Sequence, residues 1–182
     1  MNLIVGLGNP GKDYVNTRHN AGFLLLDFLN EKWKGKSFRL ESKLKSKISI
    51  IKDNSKNVLL LKPQTYMNLS GKAVKKVMDY YKIISQNIIV IYDDLDLEIG
   101  MYKITQKPFK GGHKGVRSIV DYIDEDKFIR IRIGIEKQGG RKNRNNISGE
   151  KFVLSKFSSD EKKVLYVAFN KIFLELNKYF IN

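Results

Sequence analysis

The chain of 182 residues has no cysteine, two histidines and a formal net charge of +15. That length suits one well-buried core, the missing cysteines exclude disulfides and thiolate metal sites, and no apolar run approaches the roughly 20 residues of a membrane span. So strong a positive charge points to a polyanionic partner, because contact with phosphates releases their counterions.

The apolar run Leu3–Leu7 predicts a first strand, and with no signal-peptide layout before it the expectation is a cytosolic protein. A turn with the spacing Gly6-x-Gly8-x-x-Gly11 follows, which after a strand suggests a dinucleotide cradle. That reading requires a helix opening on the glycines and an acid ending a second strand about 20 residues on. Neither follows: Pro10 and Gly11 hold a turn, Asp13 to Asn20 has no helical period, and Ala21 to Trp33 has the apolar crowding of a buried helix. A run of Lys32, Lys34, Lys36, Arg39, Lys43, Lys45 and Lys47 comes next, followed by strands at Ser46–Lys52 and Val58–Leu61. After the polar stretch Lys62–Asn68, Ser70 suits the N-cap of a helix over Gly71–Lys82, with Ala73, Val74, Val77, Met78 and Tyr81 on one side.

A strand at Ile88–Tyr92 leads into the acidic stretch Asp93–Asp96, whose spacing does not match a calcium-binding loop. A strand at Met101–Thr105 precedes Lys110-Gly-Gly-His-Lys-Gly115, where His113 marks either a phosphate-receiving helix N-terminus or a plain helix-opening turn. A helix at Val116–Ile123 and a strand at Phe128–Glu136 follow, then a second basic run of Lys137, Arg141, Lys142 and Arg144. The chain closes in a long helix introduced by Ser158-Ser-Asp-Glu161, which has capping-box spacing and suits a core-packing role without chemistry. Alternating strands and helices predict an α/β fold: a single domain over residues 1–182 with a mixed, mainly parallel twisted sheet and helices on both faces. The polar stretches all fall at strand ends or in loops, where open sheets of this class form their binding crevice.

The chemistry open to these residues is narrow. There is no Gly-x-Ser-x-Gly elbow, and the two histidines are too far apart in sequence to show a local metal-ligand spacing. What remains is a general base acting on water: His19, with one of Asp93, Asp94 or Asp96 fixing its tautomer. The clustering of the basic runs favours nucleic acid over an indifferently charged surface.

Gly6-Leu-Gly-Asn-Pro-Gly11 with Thr17-Arg-His-Asn-Ala-Gly22, Lys62-Pro-Gln-Thr-Tyr-Met-Asn-Leu-Ser-Gly71, Asp93-Asp-Leu-Asp-Leu97, Gly111-Gly-His-Lys-Gly115 and Arg130-Ile-Arg-Ile-Gly-Ile135 occur in that order. Together they resemble the bacterial peptidyl-tRNA hydrolases. The resemblance implies a monomeric α/β hydrolase, needing no cofactor or metal, that cleaves the ester between a peptide and the 3′-terminal ribose of tRNA. It implies His19 as the catalytic histidine, Asp93 as its supporting carboxylate, Asn9 as the residue that selects N-blocked substrates, and Tyr14, Tyr66 and Asn68 as contacts to the tRNA end or the peptide. Two departures stand out. Lys114 replaces the family's usual asparagine and is expected to contact phosphate and, if close to His19, to lower its pKa; Glu136-Lys-Gln138 replaces Gly-Arg-Pro and is expected to alter a loop. The rival reading is a non-catalytic RNA-binding module, which would have no need of His19, Asp93, Asn9 and Asn68 as a set.

Overall fold

A computed structural model describes residues 1–52, 56–144 and 146–181. Seven strands form one sheet: β1 (Asn2–Gly6), β2 (Arg39–Glu41), β3 (Ser46–Lys52), β4 (Asn57–Pro63), β5 (Ile88–Glu98), β6 (Tyr102–Thr105) and β7 (Ile129–Glu136). The helices are α1 (Ala21–Lys32), α2 (Ser70–Tyr81), α3 (Lys114–Ile123), α4 (Gly149–Val153) and α5 (Ser159–Ile181). The strand order is β2-β3-β4-β1-β5-β7-β6. β4, β1, β5 and β7 pair in parallel at the centre, and β2, β3 and β6 add antiparallel edges. The sheet is therefore mixed with a parallel heart, as the alternating pattern predicts.

Central strands buried on both faces need continuous apolar runs, and β1, β4 and β5 supply them. Their residues divide between two cores by the alternation of the pleat. Ile4, Leu60 and Ile91 join Leu25, Leu29, Phe169 and Ile172 under α1 and α5, while Leu3, Val5, Leu59 and Val90 join Val74, Val77, Val116 and Ile119 under α2 and α3. Each fully buried leucine or isoleucine contributes about 1.5–3 kcal/mol over leaving it exposed, so both helical layers are firmly seated.

Several elements differ from expectation. Arg39–Glu41 forms a short edge strand inside the first basic run, where half-exposed Leu40 gives no buried pattern to detect. β5 continues to Glu98 rather than ending at Tyr92, so Asp93 stands in a strand and not in a loop. α4 was hidden in a polar stretch. Ser70 is the first residue of α2 rather than its N-cap; a short 3-10 turn, Met67–Leu69, runs straight into the helix, and the buried Ser70 hydroxyl donates to the Met67 carbonyl at 2.9 Å. The capping box at α5 is present, with Ser158 N–H on Glu161 at 2.8 Å and Glu161 N–H on Ser158 Oγ at 3.2 Å.

One close crossing places the site. The start of α1 lies so near the ends of β1 and β5 that a Cβ on Gly22 would stand 2.5 Å from Leu7 N and 2.6 Å from Ile91 O, and one on Gly6 would stand 2.4 Å from Gly22 O. These are backbone atoms that cannot swing aside. The contact carries the preceding 3-10 turn, Arg18–Asn20, to the top of β5. Gly22→Ala should therefore destabilise the fold by roughly 1–3 kcal/mol, read from its urea midpoint. A wild-type midpoint would contradict the close packing.

Candidate active site

β5 leaves the core at Asp93, whose carboxylate is almost wholly buried and needs donors in place of water. Two imidazoles provide them. His19, on the turn before α1, brings Nδ1 to 2.8 Å from Oδ1 and 3.0 Å from Oδ2, and His113, at the N-cap of α3, brings Nε2 to 3.0 Å from Oδ1.

The partners fix both tautomers. Val116 N–H donates to His113 Nδ1 at 3.3 Å, so the proton of that ring sits on Nε2 and is given to Asp93. His19 gives Asp93 its Nδ1 proton, which leaves the Nε2 lone pair of the neutral ring for the cleft that His19 lines. Burial favours the protonated acid at Asp93, but the electrostatic attraction and hydrogen bonds of the two imidazoles, His19 and His113, outweigh it and hold the carboxyl well below the usual range. Burial likewise favours neutral His19; the charge and hydrogen bond of Asp93 prevail, so its pKa lies above the ordinary 6.5 even though Lys114 opposes the rise.

His19, Asp93 and His113 offer three ligand-type atoms within 4.8 Å of one another. A metal on His113 Nε2 would have to displace the proton that Val116 directs there. The arrangement suits proton handling better than ligation.

Asn9 is locked by one backbone donor and the Asn20 side chain. Met67 N–H donates to its Oδ1 at 2.8 Å, so the amide oxygen is identified and Nδ2 is left as a donor beside the cleft. Asn20 holds the same residue from the other side, accepting Asn9 N–H at 2.8 Å and donating to Asn9 O at 3.0 Å. Asn9 is thereby tied to the turn that carries His19.

The cleft measures about 930 Å³. Of the residues singled out from the sequence, Asn9, His19, Asp93 and Lys114 line it. Tyr14, Tyr66 and Asn68 do not; Tyr66 is 60% exposed, and Tyr66 and Asn68 flank the Met67 that pins Asn9. Lys114 sits on the rim, paired with Glu150 of α4 at 2.9 Å. Asp94 and Asp96, the other candidate partners of His19, pair instead with Arg132 and Arg141.

The sequence missed His113 as a partner of Asp93, because neither a phosphate site nor a helix-opening turn implies a bond to a residue 20 positions earlier. It missed Asn20, whose only signal was an amide in a polar loop. Most of the basic wall of the cleft was also missed: Lys103, Lys107, Lys110, Arg130 and Arg132 come from separate elements outside both basic runs, and Arg141 of the second run joins them. Arg144 of the second run turns inward onto Glu136 and is buried, so that run is not wholly a surface feature; the pair anchors the loop that opens at Glu136-Lys-Gln138.

The pattern of the Peptidyl-tRNA hydrolase family matches residues 3–181. The chain is similar to the peptidyl-tRNA hydrolase of Clostridium novyi, with 42% identity over 93% of this chain and 86% of the relative. It is also similar to that of Clostridium botulinum, with 46% identity over 91% of this chain and 82% of the relative. Among solved structures, peptidyl-tRNA hydrolase from Acinetobacter baumannii superimposes with a TM-score of 0.86 at 33% identity, covering 100% of this chain and 88% of that one.

The electrostatics give a signed expectation. Asp93→Asn removes the influence that raises His19 and leaves burial and Lys114, so the His19 titration followed by NMR should fall below 6.5; Lys114→Met should move it upward from wild type. Unmoved titrations in both variants would contradict the assignment of causes.

Proposed function

This chain belongs to the peptidyl-tRNA hydrolase family, and from that premise we propose that His19 is the general base of the reaction, oriented by Asp93, with Asn9 as donor to the oxyanion. The chain hydrolyses peptidyl-tRNA and returns the tRNA to use. The observation that carries the assignment of His19 is its Nδ1 bond to a carboxylate that stays ionised, which leaves Nε2 free as a base at the cleft.

Neutral His19 takes a proton from water through Nε2 while the water oxygen attacks the ester carbonyl. The imidazolium is stabilised by Asp93, as in a triad without its serine. The carbonyl oxygen of the tetrahedral intermediate bears the new negative charge and accepts from Asn9 Nδ2, whose direction is set because Met67 occupies the other end of the amide. Collapse breaks the bond to the ribose oxygen, which takes the proton from His19 Nε2. The products are the free peptide acid and the 3′-hydroxyl of tRNA.

Selection follows from the same groups. A peptidyl ester presents a neutral amide that Asn9 bonds, whereas a free aminoacyl ester presents an ammonium that leaves the Asn9 donor unpaired; Asn68, outside the cleft, is left to the more distant part of the peptide. Tyr14 and Tyr66 stack terminal bases of the tRNA, and exposed Tyr66 is available to do so. Lys114 and the exposed Lys103, Lys107 and Lys110 of the wall meet phosphate. The chain acts as a single cytoplasmic domain and as a monomer.

The test is release of an N-acetylated amino acid from tRNA. His19→Ala should lower kcat by about 100-fold or more, and Asn9→Ala by on the order of 100-fold. Undiminished release by either variant contradicts its role, and equal cleavage of unblocked aminoacyl-tRNA by the wild type contradicts the selection.

A further inference from the structure

We propose that Arg18 is a positioning residue for His19, tied through Glu161 to the start of α5, so that the C-terminal helix sets the contact between His19 and Asp93. This rests on the assignment of His19 as the base.

Arg18 immediately precedes His19 on the 3-10 turn, and its side chain is only 4% exposed. Its Nε donates to Ser155 Oγ at 3.1 Å, Nη1 to the Ile135 carbonyl at 3.1 Å, and Nη2 to Glu161 Oε1 at 2.7 Å. The guanidinium also lies over the rings of Phe152 at 4.3 Å and Phe157 at 5.0 Å. The backbone repeats the attachment: Arg18 N–H donates to Ser155 O at 2.9 Å, and Phe157 N–H donates to Asn16 O at 3.1 Å. Neither catalysis nor substrate contact accounts for this investment in one side chain.

Glu161 serves two purposes with two oxygens. Oε2 accepts Ser158 N–H at 2.8 Å and closes the capping box of α5, while Oε1 accepts Arg18. A single carboxylate thus satisfies a helix start and a buried cation, and α5 is more than core packing.

Successive residues of a 3-10 turn point about 120° apart, so a turn anchored through Arg18 on one side has its His19 direction set on the other. The planar guanidinium fork with three separate acceptors leaves that anchor little freedom. The groups facing His19 itself are Asp93 on β5, His113 at the N-cap of α3 and Lys114 on α3. Arg18 is directed away from all three, toward β7 and α5, and works through position rather than charge.

Sign separates these two routes. Removing the Arg18 cation would, by charge alone, raise the His19 pKa. Loosening the contact with Asp93 removes the influence that holds it above 6.5 and lowers it.

The experiment compares kcat, KM and the acid limb of kcat/KM for the wild type, Arg18→Met and Glu161→Gln on N-acetylaminoacyl-tRNA, with near-UV circular dichroism recording the folded fraction. Glu161→Gln keeps a capping-box acceptor while losing the charge that pairs with Arg18. Arg18→Met should lower kcat by about 100-fold, the scale of a misplacement near 1 Å, with KM little changed and the acid limb moved down toward 6.5. Glu161→Gln should move both in the same direction by less. Unchanged kcat, or a fall in kcat with the limb unmoved or raised, overturns the proposal, and if Arg18→Met does not fold the same two readouts on Glu161→Gln decide. His19→Ala is assayed alongside: its loss with Arg18→Met unaffected overturns the positioning role alone, whereas retained activity in His19→Ala overturns the assignment of the base.

Discussion

One buried carboxylate shared by two imidazoles organises the upper end of this molecule. Asp93 lies where water cannot satisfy it, so its charge depends on His19 and His113. These rings arrive from a turn before α1 and from the N-cap of α3, helices that cover opposite faces of the sheet. They meet only because β5 lies beside β1 and continues as a strand through Asp93. The close backbone crossing of Gly22 on β1 and β5, and the Arg18 anchor behind it, are the means by which the fold meets this demand.

The two rings are alike in type and unlike in state. His113 has both nitrogens engaged, one by a backbone amide and one by Asp93. Among the described residues His19 has only Nδ1 engaged, so the cleft meets a single basic nitrogen. Raising the pKa of that nitrogen makes it a stronger proton acceptor and reduces the fraction that is neutral near pH 7. Lys114, on the rim, offsets part of the rise. Lys114 thus bears on the base through charge.

Much of this was legible in the chain. The apolar runs in β1, β4, β5 and β7 declare a doubly covered sheet, and the capping box at Ser158 marks the start of α5 to the residue. His19 and Asp93 stand out as a base and a carboxylate in polar stretches, Asn9 and Lys114 through the family resemblance, and the structure gathers all four in one cleft. What the chain hides is pairing across distance. Asp93, Asp94 and Asp96 are equivalent as residue types, and only the pleat and the neighbours on β7 send Asp94 to Arg132 while Asp93 faces the histidines. β2 and α4 are short and polar, with too few apolar positions to declare a period. The basic wall is dispersed over several elements, so a search for charge runs finds Arg141 of it and otherwise the exposed lysines around β2 and β3. Arg18 carries no sign of burial in its own segment, because that burial follows from aromatic and carboxylate partners about 140 positions away.

The most direct measurement is the nitrogen-15 NMR spectrum of the two histidine side chains above the His19 titration. Protonated Nδ1 with bare Nε2 for His19, and the opposite tautomer for His113, is the pattern this arrangement requires. A proton on Nε2 of neutral His19, or the same tautomer for both rings, would contradict it.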